Sequence, residues 1–373
     1  MSEDIRQFRI EIPQAELDNL RSRLDLARWP GQLPGEGWSR GVPVSYLKEL
    51  ATYWRDEFDW RVHESRLNEF PQYLTEIDGL DIHFLHVRSP EPDALPLVLT
   101  HGWPNSFVEF VDFIDLLARP RNGEQAFHVV VPSLPGFGFS SPPGETGWNA
   151  ARVARIWAEL MRRLGYDRYG TQGGDFGAYV APAVATAAAD HVVGVYITGG
   201  LGFPGQDDMS QLTDDEREAF AELSKQDWMN GVDHHGLLGT APQTFAYGWH
   251  DSPVAALAWM TQKFHEFNAG GKPLEQAIAR DLFLTNVSLY WLTGTFGSSA
   301  WLYYDSTGFS WPEGQKVAPT GVYSGPPGVR RLAERDNTIV HWPEHNPEGH
   351  HFVAMDRPDD YAADLRAFFA ALR

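Results

Sequence analysis

The 373-residue sequence contains no cysteine. That excludes disulfides, thiolate metal sites and a cysteine nucleophile, and it fits a reducing compartment, so a cytoplasmic location is expected. Positive charge is scarce: 30 Lys and Arg stand against 50 Asp and Glu, a formal net charge of −20. A surface of that sign repels a phosphate backbone and an anionic bilayer, so no nucleic acid and no membrane are expected as partners and a neutral small molecule is favoured. No uninterrupted apolar run approaches the ~20 residues of a membrane span. The opening MSEDIRQFRIEIP has neither a basic stretch nor an apolar core, and does not read as a signal peptide. His and Asp residues at metal-ligand spacing are missing, as is a Gly-rich dinucleotide fingerprint, so neither metal nor cofactor is expected.

What remains is a globular composition, 43% hydrophobic and 21% charged, in a chain long enough for one large core with a sizeable insertion. Fourteen Trp help raise the aromatic content to 13%, and several crowd the segment from Trp228 to Trp311, where an aromatic-walled pocket could lie.

Residues 1 to 75 read as helical and irregular, with helical apolar spacing from Ala15 to Leu26 and a Pro/Gly break after it. Tyr73 to Val87 alternates as strand, turn and strand, with Asp78-Gly79 at the hairpin. Leu95–Thr100 and Phe127–Val131 are short apolar runs ending in Gly/Pro loops, the pattern of a parallel sheet covered on both faces. Asn149 to Leu164 is an amphipathic helix, and His191 to Thr198 another buried strand. The α/β rhythm then stops until Val317–Val322 and Asn337–Trp342, so the intervening stretch reads as a helical insertion. The expected division is an N-terminal segment 1–92, a core in two parts at 93–203 and 313–373, and a helical cap at 204–312.

The strongest chemical signal is Gly173-Gly174-Asp175-Phe176-Gly177 between a strand and a helix of small residues. It has the small-x-nucleophile-x-small layout of the nucleophile elbow of an α/β-hydrolase fold, with Asp in the nucleophile's place. Such a turn lifts Asp175 above the C-terminal edge of the sheet, where open α/β sheets bind ligands. A carboxylate there can attack an electrophilic carbon and form an ester that is then hydrolysed. His101-Gly102-Trp103-Pro104, directly after a strand, supplies the second half of an oxyanion hole, so the amides of Trp103 and Phe176 are its expected donors. Gly349-His350-His351-Phe352 follows the last strand, and one of its two histidines is placed to activate water.

Taken together, HGWPNSFVEF, PSLPGFGFS, GGDFGAYV, PQTFAYGWHDSP, LYWLTGTFGSSAWLYY and HHFVAMDRP resemble the epoxide hydrolases of the microsomal and juvenile-hormone type, including bacterial members of natural-product pathways. The resemblance covers nearly the whole chain. It implies Asp175 as nucleophile and selects His351 as the base, His350 standing where the family carries Gly. It also implies that Tyr303 donates a hydrogen bond to the epoxide oxygen. A small-molecule epoxide, bulky and aromatic or polycyclic, is the implied substrate; the only further partner allowed for is a second copy in a homodimer.

Three positions depart from the family pattern. His234 stands at the first cap tyrosine, where a protonated imidazole could donate a similar bond and make activity pH-sensitive. Gly328 occupies the place of the acid that orients the catalytic His, and Trp301 replaces an Arg. A missing orienter threatens ester hydrolysis more than ring opening. Three readings follow: an epoxide hydrolase; a non-hydrolytic epoxide-opening enzyme, for instance one forming a C–C bond in a biosynthetic pathway; and a binding homologue without turnover.

Overall fold

The computed structural model describes residues 4–372 except 36, 122, 200, 203, 205–206, 224–230, 269–272, 306–313, 324–329 and 345–349. Its strands are β1 Ile5–Phe8, β2 Gln72–Ile77, β3 Leu80–Val87, β4 Leu95–Thr100, β5 Phe127–Pro132, β6 Tyr169–Gly174, β7 Val192–Thr198, β8 Pro319–Val322 and β9 Thr338–His341. They form one sheet in the order β1-β2-β3-β5-β4-β6-β7-β8-β9. The β1, β2 and β3 strands join antiparallel, as does β3 to β5, and the pairings from β5 through β9 are parallel. This is the α/β-hydrolase architecture that the elbow predicts.

Local chemistry accounts for the elements. In β4, Leu97, Val98 and Leu99 are all fully buried, as a central parallel strand covered on both faces requires. The Ala150–Arg163 helix starts at Asn149, whose side chain accepts the Arg152 amide hydrogen. It buries Val153, Ala154, Ile156, Trp157, Leu160 and Met161 on one face. The β2–β3 hairpin turns on Asp78 and Gly79, with φ of 53° and 78°, the paired positive values of a tight type I′ turn. One element was not expected: β1, a short edge strand that pairs with β2. Its four residues, Ile-Arg-Gln-Phe, are too few for alternation to register above the surrounding polar sequence.

Between β7 and β8 the chain leaves the sheet for the helices His234–Thr240, Pro242–Asp251, Pro253–Glu266, Arg280–Thr293 and Phe296–Asp305. The N-terminal helices Gln14–Asp25 and Val44–Asp56 grip this insertion from outside. Trp54 Nε1 donates to Ser288 Oγ at 2.8 Å, and Tyr53 donates to Asp281 at 2.7 Å. Arg23 pairs with the Asp251 carboxylate at 3.0 Å, and Trp38 stacks on His265 with ring centroids 3.8 Å apart. Among the described residues no helix is long and apolar enough to cross a membrane.

Candidate active site

Asp175 has φ of 53°, a left-handed conformation that costs a non-glycine residue roughly 1–2 kcal/mol. Glycine neighbours make the turn possible. A Cβ on Gly173 would lie 1.9 Å from the Gly177 carbonyl, and one on Gly102 would lie 2.2 Å from the Asp175 Cβ. Both residues must therefore lack a side chain for β4, β6 and the following helix to converge.

The convergence fixes the carboxylate. Oδ1 of Asp175 accepts the amide hydrogens of Trp103 at 2.9 Å and Phe176 at 2.7 Å. Hydrogen bonds to a charged group contribute about 1.5–3 kcal/mol each, enough to offset the backbone strain. Oδ2 lies 3.2 Å from Nε2 of His351. Burial alone would raise the carboxyl pKa; the hydrogen bond and charge of His351, with the two amides, outweigh it and hold the group below the ordinary aspartate value. Asp175 thus stands ionised. Its side chain keeps 17% exposure and that of His351 35%, so both atoms that would react stay within reach of substrate and water.

The loop carrying the Trp103 amide is braced by the insertion. Ser106 Oγ donates to Asn286 Oδ1 at 2.7 Å, Asn286 Nδ2 donates to the Pro104 carbonyl at 2.9 Å, and Tyr290 donates to the Asn105 carbonyl at 2.6 Å. The Trp103–Pro104 bond is cis. His101 is fully buried: its Nε2 accepts the Leu134 amide hydrogen at 3.2 Å, which leaves Nδ1 as donor to the Gly102 carbonyl at 3.1 Å. Burial pushes the His101 pKa down to about 4, so the ring is neutral. Glu109 is buried just beyond this loop with Oε2 unpartnered, and burial, then the Asp175 charge, push its pKa well above the usual carboxylate range.

Above the carboxylate lies an aromatic wall. The Trp103 ring meets Tyr303 edge-on with centroids 5.3 Å apart, stacks against His234 at 5.5 Å and tilts against Trp259 at 6.1 Å. Trp259 in turn packs on Trp249 at 5.3 Å. Burial first, and then the Asp175 charge, hold the Tyr303 pKa well above its usual value, so its O–H remains a donor.

Residues 5–110 match the family described as "Epoxide hydrolase N terminus", and residues 96–262 match "alpha/beta hydrolase fold". A "Putative epoxide hydrolase" of Stigmatella aurantiaca is 42% identical over 99% of this chain and 86% of its own. "Epoxide hydrolase 1" of Oryctolagus cuniculus is 33% identical over 98% and 89%. The chain belongs to the epoxide hydrolase family. Among solved structures, the Aspergillus niger epoxide hydrolase superposes with a TM-score of 0.83 at 32% identity, covering 99% of this chain and 97% of that one. The juvenile hormone epoxide hydrolase of Bombyx mori gives 0.85 at 27% identity, covering 99% and 95%.

Of the residues expected at an epoxide hydrolase site, Asp175, Trp103, Phe176 and His351 come together directly, with Tyr303 and His234 on the wall above them. One expectation is corrected: His234 does not offer a protonated imidazole. It is buried, with His235 and Lys263 adding unfavourable charge, and its pKa falls to about 3. The ring is neutral near pH 7. Trp301 is half-buried two residues before Tyr303, about 200° away around the helix, so the two do not share a face. Gly328, Trp228 and Trp311 lie outside the described residues.

Three acids of the β7–β8 and β8–β9 connections are engaged elsewhere: Asp208 pairs with Arg335 at 2.8 Å, Glu334 with Arg330 at 2.6 Å, and Asp336 with Arg335 at 3.2 Å. Among the described residues, Asp175 is the one carboxylate that meets His351. Sequence reasoning missed Asn286 and Tyr290, because each acts through a partner that only the fold brings near.

Proposed function

We propose that the protein hydrolyses an epoxide through an ester on Asp175, the reading carried chiefly by the split environment of that carboxylate. Oδ2 lies against His351, away from the two amides, and is the attacking atom. It forms a bond to an epoxide carbon as the C–O bond of the ring breaks. The leaving alkoxide takes the Tyr303 proton, a role supported by the neutral phenol above Asp175. Oδ1 becomes the carbonyl oxygen of the ester, already seated on two amides. His351 then removes a proton from water, which attacks Cγ. Negative charge gathers on Oδ1, where the Trp103 and Phe176 amides stabilise it. Collapse breaks Cγ–Oδ2; the leaving oxygen takes the proton held by His351, the new carboxyl group returns a proton to the Tyr303 phenolate, and the diol is released while the water oxygen stays in the carboxylate.

The wall of Trp103, Trp259, Trp249 and His234 favours a bulky, flat, apolar epoxide. A second reading, ring opening without hydrolysis, is favoured by the want of a second carboxylate at His351 among the described residues. In that case a different nucleophile, a carbon centre where a C–C bond is formed, would take the place of water.

Single-turnover reaction with styrene oxide in ¹⁸O-water separates the readings. Hydrolysis predicts an unlabelled diol in the first turnover and one ¹⁸O in the peptide carrying Asp175. An ester that accumulates on Asp175 without diol would support the second reading. No adduct in the native protein and undiminished turnover in Asp175→Asn would refute both.

A further inference from the structure

His350 stands where the family carries glycine, and the catalytic proposal gives it no task. It is nonetheless almost wholly buried, with 3% exposure, and every polar atom outside its carbonyl is bonded. Its Nδ1 accepts the Phe352 amide hydrogen at 3.0 Å. That fixes the proton on Nε2, which donates to the Phe264 carbonyl at 2.8 Å. The His350 amide donates to Asp356 Oδ2 at 2.8 Å.

Phe264 belongs to the last turn of the Pro253–Glu266 helix, where carbonyls lack partners within the helix. The next carbonyl beyond that helix, on Phe267, accepts the amide hydrogen of His351 at 2.8 Å. Asn268 and His350 complete the junction as an isolated antiparallel bridge, and the Phe267 ring packs against the His351 ring with centroids 4.8 Å apart. The C-terminus of a cap helix is therefore capped by the catalytic loop itself. An unpartnered buried carbonyl costs about 1–3 kcal/mol, so the junction is held firmly by the imidazole.

We propose that His350 is a positioning residue: by tying the catalytic loop to the cap helix it fixes the backbone from which His351 reaches Asp175. It thereby supplies, from the cap side, orientation that a carboxylate partner would otherwise provide. The glycine of the family pattern has no side chain with which to make this bond. Cap and base then move as one body, and the aim of His351 depends on the seating of the Pro253–Glu266 helix.

This inference rests on His351 acting as the base in ester hydrolysis, so its test separates the two half-reactions. Native protein, His350→Ala, His350→Gln and His350→Asn are mixed with styrene oxide under single-turnover conditions, and formation and decay of the Asp175 ester are followed by quenched-flow mass spectrometry. A displacement of about 1 Å at a reacting group costs on the order of 10²-fold. In His350→Ala, ester decay is expected to slow by roughly 10- to 100-fold while ester formation stays within about threefold. His350→Gln, whose amide reaches the Phe264 carbonyl, restores most of the decay rate. His350→Asn keeps the acceptor for Phe352 but is too short for Phe264, and is expected to resemble His350→Ala; it reads the same bond if the alanine variant does not fold.

Unchanged decay in folded His350→Ala or His350→Asn overturns the inference. So does an equal loss in both half-reactions, the mark of a purely structural role. A native protein that forms no ester at Asp175 overturns the underlying hydrolytic reading and takes this inference with it.

Discussion

Nε2 of His351 lies 3.2 Å from Oδ2 of Asp175, on the opposite oxygen from the one that holds the amides of Trp103 and Phe176. One carboxylate thus has an end that meets an imidazole and an end anchored by two amides. His351→Gln should leave ring opening nearly intact and slow ester hydrolysis by roughly 10²- to 10⁴-fold, the usual contribution of a general base. Intact-protein mass spectrometry after a pulse of styrene oxide reads this directly as a persistent adduct. Rapid loss of the adduct in the variant would reassign the base.

Tyr303→Phe removes a donor above Asp175 without changing the ring packing against Trp103. Ester formation should fall by roughly 10- to 10³-fold, with ester decay unchanged. His234 contributes no titration in this step. With its pKa at about 3, it is neutral from pH 5 to 8, so His234→Phe should alter the rate of ester formation without altering the shape of its pH profile. An inflection near pH 6.5 that disappears in His234→Phe would contradict the neutral assignment.

The loop entering the His234–Thr240 helix is pinned by a buried ion pair. Lys263 Nζ donates to the Val232 carbonyl at 2.6 Å and to Glu266 Oε2 at 2.5 Å, while Glu266 Oε1 accepts the Val232 amide hydrogen at 2.9 Å. Lys263→Met leaves Glu266 buried and uncompensated, and should destabilise the fold by about 3–5 kcal/mol. Lys263→Met combined with Glu266→Gln should recover much of that loss. Urea denaturation of the single and double variants checks both; equal stability would place the carboxylate in water.

Acid should weaken the fold before carboxylate pairs are lost. His83 and His350 are buried with pKa values near 3, and His101 near 4, against 6.5 in the unfolded chain. The unfolded state therefore binds more protons below pH 6.5, and stability falls as pH drops from there toward 4. By pH 5 each contributes a loss on the order of 2 kcal/mol. Glu109 acts with the opposite sign: its raised pKa favours the folded state as pH falls toward the unfolded carboxyl value. Glu109→Gln should steepen the acid loss, measured as denaturation midpoints at pH 7.5 and 5.

The parts of this site that were legible in the sequence are those written in contiguous residues. Gly173 to Gly177 announces a tight turn because small residues must flank a left-handed Asp175, and HGWP follows β4 where a loop must begin. The brace of Asn286 and Tyr290 was not legible. On the Arg280–Thr293 helix both fall among buried apolar residues, and their partners are the backbone of Pro104 and Asn105, far away in the chain. The neutral state of His234 was equally hidden, since it follows from burial against Trp103 and Phe267 rather than from neighbours in sequence. His350 looked like an unremarkable alternative to His351 because its bond to Phe264 crosses from cap to core.

The N-terminal grip on the insertion bears on how substrate preference could be moved between relatives. A cap is the natural piece to exchange, yet here Trp54 fills its hydrogen bond on Ser288, Tyr53 on Asp281 and Arg23 on Asp251. A foreign cap would arrive facing the wrong donors. The unit of inheritance is thus discontinuous: the helices Gln14–Asp25 and Val44–Asp56 form a matched pair with the helices of the insertion, separated along the chain by the strands that hold Asp175, and a working chimera must carry both halves.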